Sequence, residues 1–427
     1  VFGCLMTVMS LLTFVAMVAA PAVLYIYAPG FHNDPEKFDL AVDMFRLTIP
    51  YLLFMSLTAF ASSILNSYGS FSTPAFAPVL LNITMIAGAW WLTPYMAEPI
   101  MALGWAVVVA GILQLVIQIP ELWRKNLLIP PKIDFKHEGV DRIMKLMLPA
   151  LFGVSVTQIN LLLNTIWASF MQDGSVSWLY SAERMTELPL GLIGVAIGTV
   201  ILPSLSARHA EQDQSKFRGM IDWAAKVIML VGVPASIALF MLSTPIIQAL
   251  FQRGQFTVED TQMTAMALQC MSAGVISFML IKVFAPGFYA QQDTKTPVRV
   301  GLMAVAANAI LNVIFIGFFK LIDWQAEHMA LALASSGSAL VNAGMLYFYL
   351  HKRDIYRFGA HWKKLFLQFA LANITMIAAL WYALSWYNGD ASQWIRILEV
   401  VGLCVIGVIA YAVGLLITGF KPRDLKP

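Results

Sequence analysis

Glu183, Arg184 and Glu187 stand within five residues of one another in a stretch that is otherwise apolar, Ser177–Gly198, SWLYSAERMTELPLGLIGVAIG. An ionised side chain at bilayer depth costs about 2.5–3.5 kcal/mol on insertion scales, so such residues usually face a protein-lined cavity. At helical spacing Ser177, Ser181, Arg184, Glu187, Gly191, Gly194 and Gly198 fall on one stripe, with Leu, Ile, Val and Met on the remaining faces. A guanidinium there is suited to an anionic group, and the two carboxylates can hold it in place or take up cations. Arg184 and Glu187 are also i, i+3 neighbours, so an ion pair locking this helix to another is the plainer alternative.

Two further polar sets accompany the cluster. Gly153, Thr157, Asn160 and Asn164 share one helical stripe with Gln158 beside it, which would either line a cavity or join helices by hydrogen bonds. Asn308 and Asn312 are i, i+4 neighbours whose carbonyl oxygens could meet a hard cation, although helix–helix contact is the expected use. Lys282, near one end of another apolar run, either snorkels to the interface or neutralises a phosphate. Arg46 and Asp43 read as a boundary pair. No nucleophile–base arrangement, phosphate loop or metal-ligand set is visible, so ATP-driven work, a resident cofactor or metal, and enzymatic chemistry are not expected. Cys4, Cys270 and Cys404 sit singly in apolar segments as packing residues. All six histidines fall in or beside loops.

The elements that hold these residues follow from composition. Of 427 residues, 59% are hydrophobic and 12% charged, against roughly 25% charged in soluble domains, so the chain is an integral membrane protein. Apolar runs of about 20 residues mark transmembrane helices. Twelve are expected, over 2–27, 40–66, 75–95, 100–122, 143–170, 177–203, 220–250, 261–287, 297–319, 328–350, 361–386 and 394–419. Asp34, Pro35 and Glu36 form a helix start signal, and Pro21, Pro50, Pro149, Pro189, Pro245 and Pro286 allow kinks. Twenty of the 27 Lys and Arg fall in 124–145, 208–226, 295–299, 352–364 and 421–426, all on one side of this topology. The positive-inside rule makes that side, and the C-terminus, cytoplasmic. The basic loop around Pro130-Pro131 would rest on anionic lipid heads. Trp90, Trp91, Tyr95, Trp386 and Tyr387 would form an outer aromatic belt. The start at Val1, with neither a basic leader nor a cleavage pattern, excludes a signal peptide and suggests a fragment.

The chain also repeats itself. PAVLYIYAPG at 21–30 matches PIIQALFQRG at 245–254, an offset of 224, and Thr73-Pro74 matches Thr296-Pro297, an offset of 223. On that arithmetic the unit beginning near Asp141 has a counterpart extending about 83 residues before Val1, room for two helices. The expected fold is all-α: two pseudo-symmetric lobes with a C-terminal helix pair. Its parts are an incomplete four-helix N-terminal lobe over 1–123, a basic linker over 124–140, a six-helix lobe over 141–352, and two helices with a tail over 353–427.

The run GSVSWLYSAERMTELPLGLIGVAIGTVILPSLS (174–206) resembles the signature segment of the MurJ (MviN) lipid II flippases of bacterial inner membranes. PAFAPVLLNITMI (74–86), APGF and QQDTKTP (291–297) extend the resemblance along the chain. It implies the multidrug/oligosaccharidyl-lipid/polysaccharide exporter superfamily, with fourteen helices of which the twelve here are the third to the fourteenth. It further implies alternating-access transport of an undecaprenyl-pyrophosphate-linked disaccharide-pentapeptide from inner to outer leaflet for peptidoglycan synthesis, driven by membrane potential or an ion gradient. Arg184 takes the place of a cavity arginine expected to bind pyrophosphate, Glu183 and Glu187 match acidic positions, and Ser177 matches a cavity serine. The last two helices match a pair forming a groove for the polyprenyl tail. With Asn160 and Lys282 from the residue reading, these complete the candidate substrate-binding set. Partners are lipid II, membrane lipids and other cell-wall synthesis proteins, with no nucleic acid. The family's other cavity arginines lie on the two helices absent here. Some members have a sodium site with acids on the helices equivalent to the fifth and ninth here, where this sequence offers Asn308 and Asn312. A flippase for another polyprenyl-linked glycan, a multidrug exporter and a non-transporting scaffold are the alternatives.

Overall fold

The structure, a computed structural model, describes residues 1–128, 132–324, 326–421 and 425; the side chains of 145–146, 148–157 and 195 are outside that description. Among the described residues the chain is all-helical. Seventeen α-helices follow in order: α1 Phe2–Val18, α2 Ala20–Tyr27, α3 Pro35–Thr48, α4 Pro50–Ser67, α5 Ser72–Ala87, α6 Met101–Val116, α7 Ile119–Arg124, α8 Glu138–Ser169, α9 Ser175–Pro189, α10 Ala196–Ala210, α11 Gln214–Met241, α12 Ser243–Leu250, α13 Val258–Tyr289, α14 Lys295–Leu321, α15 Met329–Lys352, α16 His361–Leu384 and α17 Gln393–Ile417. Two π-helical segments, Gly88–Leu92 and Leu190–Val195, widen the chain after α5 and between α9 and α10.

Among the described residues ten helical stretches are long and apolar enough to cross a membrane, and α1–α2, bent by 76°, would make an eleventh. The longest is Ser175–Ala210, in which α9 and α10 run on through the π segment. The expected stretch 143–170 falls on α8, where Pro149, Lys145, Gly153 and Thr157 lie outside the described side chains. Pro130-Pro131 and Arg423 lie outside the described residues as well.

The chain divides into two compact units, Val1–Val154 and Ser155–Pro427. Local geometry in the first recurs in the second at an offset of 223 residues. Asp34 caps α3 by accepting the amide of Lys37, and Thr257 caps α13 by accepting that of Asp260. α2 and α12 are both eight-residue helices with proline in their first turn, following Ala19 and Leu242 in nearly the same conformation. The α4–α5 turn places Gly69 at φ +74, and Ser70 N–H donates to Leu65 O at 2.9 Å; the α13–α14 turn places Gln292 at φ +61, and Asp293 N–H donates to Phe288 O at 3.1 Å. Both are left-handed helix ends closing the last carbonyls, one with glycine and one with a strained glutamine. One difference stands out: Pro50 splits α3 from α4, whereas α13 runs unbroken over the equivalent length.

In the second unit α13 packs against α9, α10, α11, α12 and α15. Without a hydrophobic drive between lipid-solvated helices, close approach of small residues supplies the contact. At Gly274 a Cβ would stand 2.7 Å from Ser336 Oγ, which itself donates to Cys270 O at 2.8 Å. The main buried cluster joins Ile201, Leu205, Ile221, Ile228, Met279 and Phe284. The pair α16–α17 packs on α11 and α12 through Leu242, Met376, Leu380 and Tyr411, whose hydroxyl donates to Leu230 O at 2.8 Å. Asp222 of α11 fastens the segment before α16 by accepting from Tyr356 Oη at 2.9 Å and Trp362 Nε1 at 2.6 Å, with Lys226 Nζ at 2.8 Å. At the other end Tyr387, unlike the exposed Trp386, turns toward the protein. It is half-buried and donates to Gln248 Oε1, because the α16–α17 turn packs onto α12 there. Trp90, Trp91, Tyr95 and Trp386 are exposed. Arg46 and Asp43 form an exposed pair at 3.7 Å.

Candidate functional site

The helix carrying the charged cluster is pinned where it begins. Gly174 adopts φ +99, and a Cβ there would stand 2.5 Å from the ring of Trp178. That indole is buried and donates from Nε1 to Asp260 Oδ1 at 2.7 Å. Asp260 is also the third residue of the capping box that starts α13. The ring of His328, buried ahead of α15, lies 5.0 Å from Trp178, and its Nε2 is 2.8 Å from Met263 O. Burial pushes the His328 imidazole below its ordinary range, only partly offset by that carbonyl, which favours the neutral ring. One tryptophan thus ties α9 to α13 and lies against the His328 ring.

Inward from this anchor the cluster opens. Arg184 Nη1 pairs with Glu187 Oε2 at 2.8 Å, and Nη2 donates to Tyr180 Oη at 2.8 Å. The guanidinium carbon also stands 4.8 Å from the Tyr180 ring centre, within cation–π range. Side chains of Arg184 and Glu187 remain 53% and 51% exposed, so the pair is not locked into a neighbouring helix. Glu183 is half-buried, and its carbonyl accepts from Thr186 Oγ1 at 2.7 Å. Ser177 is exposed on the same helix. At Gly191 and Gly198 an added Cβ would meet nothing within 4 Å, leaving open space beside the helix.

The stripe is not continuous. Pro189 cannot donate a backbone hydrogen bond, and the chain widens into the π segment Leu190–Val195 directly after it. The extra residue in that turn rotates the residues after it, so Gly191 is exposed while Gly194 is buried. A Cβ at Gly194 would lie 3.8 Å from Lys282 Cγ. Lys282, exposed on α13 about two turns before its end, is thereby brought beside the far end of the same helix.

Asn160 stands on another helix, α8. Its carbonyl oxygen is buried with no hydrogen-bond partner among the described residues. One turn on, Asn164 Nδ2 donates to Ser335 Oγ at 3.0 Å, and Asn312 Nδ2 donates to Asn164 Oδ1 at 3.2 Å and Asn308 Oδ1 at 3.0 Å. These amides join α8, α14 and α15. A sodium ion fits poorly there: no carboxylate is present, and the Asn164 and Asn308 carbonyls are already used by Asn312. Among the described residues no group of three His, Cys, Asp or Glu could hold a metal.

Sequence reasoning missed Tyr180 and Trp178. Tyr180 stands one turn before Arg184, the spacing at which a hydroxyl reaches a guanidinium, and Thr257-x-x-Asp260 announces the acid that Trp178 meets.

The family profile described as lipid II flippase MurJ matches residues 1–402. A probable lipid II flippase MurJ of Haemophilus influenzae is 41% identical, covering 100% of this chain and 85% of its own length. The lipid II flippase MurJ of Burkholderia cenocepacia is 37% identical over 97% of this chain and 80% of its own. A solved lipid II flippase MurJ in an inward closed conformation superposes with TM-score 0.80 at 24% identity, covering 99% of this chain and 84% of that one. An inward-facing multidrug transporter of the MATE family gives 0.67 at 13% identity, over 82% and 79%, which is a likeness of fold. The first three of these proteins are named as lipid II flippases and the fourth as a transporter, and with ten or more apolar helices among its described residues this chain is a multi-pass protein of the bacterial inner membrane. With this match running from Val1 to residue 402, the chain belongs to the MurJ lipid II flippase family.

Proposed function

We propose that the protein flips lipid II, the undecaprenyl-pyrophosphate-linked peptidoglycan precursor, from the inner to the outer leaflet by alternating access, and that it is not an enzyme. One observation carries this: an arginine on a membrane-spanning helix keeps half its side chain exposed beside glycines that leave open space. Burying such a charge is costly unless a polar ligand or water meets it, and a pyrophosphate supplies several acceptors for the planar guanidinium. In this reading Arg184 binds pyrophosphate and Lys282 is a second cation toward the other end of the helix. Ser177 and Asn160 offer hydrogen bonds to the headgroup, while Glu183 and Glu187 surround Arg184. The C-terminus is cytoplasmic, by the bias of Lys and Arg. The working parts are 1–123, the basic linker 124–140, 141–352, and the pair with its tail in 353–427, where the tail groove lies. Partners are lipid II, membrane lipids and other cell-wall synthesis proteins.

In cells depleted of their own flippase, Arg184→Ala in the full-length protein should fail to sustain wall synthesis; growth at wild-type rate would sink the assignment of Arg184. A second reading, export of another polyprenyl-linked glycan or of a cationic drug, draws on the MATE-like fold and on the net −1 of Glu183, Arg184 and Glu187. Drug resistance without rescue of wall synthesis would favour it.

A further inference from the structure

We infer that Glu187 is an internal competitor for the anion site of Arg184, occupying the guanidinium when substrate is absent and having to be displaced for a phosphate to bind. This rests on Arg184 being the anion-binding residue. The guanidinium has five N–H donors in a planar fork. Glu187 takes one from Nη1 at 2.8 Å, and Tyr180 takes one from Nη2 at 2.8 Å while its ring supports the guanidinium at 4.8 Å. The two holds differ in kind. Tyr180 is neutral and lies one turn before Arg184, so it can stay in place when a phosphate arrives. Glu187 is an anion on the side that faces Gly191, where open space would admit the ligand. A bound phosphate and the Glu187 carboxylate would therefore compete for the same positive edge at contact distance, where like charges repel.

The pair is suited to exchange rather than to structure. Both side chains are about half exposed, and an exposed i, i+3 pair contributes little to stability. Both hydrogen-bond partners of the guanidinium among the described residues, Glu187 and Tyr180, lie on its own helix. Two further charged groups, among the described residues, lie along the same stretch: Glu183 beside it on α9, half-buried, and Lys282 of α13 beyond the π segment. For a carrier, a competing carboxylate has a use. A lone guanidinium in a low-dielectric cavity would hold a pyrophosphate tightly, and return of Glu187 would help release it.

The test measures binding of farnesyl pyrophosphate to the purified full-length protein by titration calorimetry, with thermal melting as a check of folding. Glu187→Gln keeps the side chain's shape and removes the competing charge, and is expected to tighten binding roughly three- to tenfold, the scale of one lost like charge at contact. Glu183→Gln removes the same charge from a residue that does not hold Arg184, and is expected to tighten binding less. In the Arg184→Ala background Glu187→Gln should bring no gain. Unchanged or weaker binding by Glu187→Gln, or equal tightening by Glu183→Gln, would overturn displacement while leaving Arg184 as the site. Wild-type binding by Arg184→Ala alone would instead remove the functional reading beneath it.

Discussion

Arg184 does its work from a helix whose orientation is set elsewhere. Trp178, six residues earlier, fixes the azimuth of α9 through the hydrogen bond to Asp260, and the guanidinium is aimed by Tyr180 and Glu187. Replacing Trp178 by Phe keeps an aromatic ring and deletes the donor, leaving the Asp260 oxygen without that bond; a loss of about 1.5–3 kcal/mol in stability is expected, read by denaturation of the purified protein. His328 beside it supplies a pH signature. Its folded value is depressed by burial, so its contribution is complete above the ordinary histidine range near ~6.5 and is lost as pH falls toward the folded value. The melting temperature should fall on acidification from pH 7 to pH 5, and His328→Gln should flatten that fall; an identical slope in the variant would exclude His328 as the source. The charged residues of the site were legible because ionised side chains are conspicuous in an apolar run. Tyr180 and Trp178 were not, since aromatic residues are ordinary in membrane helices and only their partners, one turn or 82 residues away, give them a role.

At the scale of elements, the repeated turns show how one architecture is held by different chemistry. In the second unit Asp293 accepts the Thr296 amide at 3.0 Å and its hydroxyl at 2.6 Å, and Arg353 from the end of α15 grips both residues. Burial pushes the Asp293 carboxyl up, but these donors outweigh it and hold it at about 2. In the first unit the equivalent turn carries hydroxyls, Ser70 and Thr73, and the acid comes from α7: both hydroxyls donate to Glu121. Lys125, one residue before the left-handed Asn126, reaches Tyr68 O, as Arg353 precedes the left-handed Asp354. Ser70→Asp would set a carboxylate against Glu121 and should lower the melting temperature of the purified protein; adding Glu121→Arg rebuilds the second unit's polarity and should recover most of it. No recovery would mean that the two turns are not interchangeable clamps. Two short matches are all the sequence shows of the repeated turns, because a backbone site such as 69 or 292 constrains conformation more than residue type. The π segments left no period in the sequence, so the single stripe drawn from Ser177 to Gly198 breaks at Pro189.

For the whole molecule, the all-helical fold class was legible from apolar length, whereas the twelve expected spans meet ten helical stretches among the described residues, eleven with α1–α2, whose 76° bend no composition reveals; nor does composition reveal the turn that brings Tyr387 against Gln248. The helix pair α16–α17 is fastened to α11 and α12 near both ends, at Asp222 and at Gln248. Within the second unit, the proposed groove for the lipid tail and the arginine for its pyrophosphate therefore belong to one packed body. The most direct measurement is translocation itself: full-length protein in vesicles loaded with labelled lipid II, with transfer between leaflets followed by accessibility to an impermeant reagent. Wild-type protein should move the label, and Arg184→Ala should slow transfer by roughly 30- to 100-fold, the equivalent of about 2–3 kcal/mol of charge-assisted hydrogen bonding. Transfer at the wild-type rate in Arg184→Ala, or no transfer above empty vesicles by the wild-type protein, would contradict the assignment.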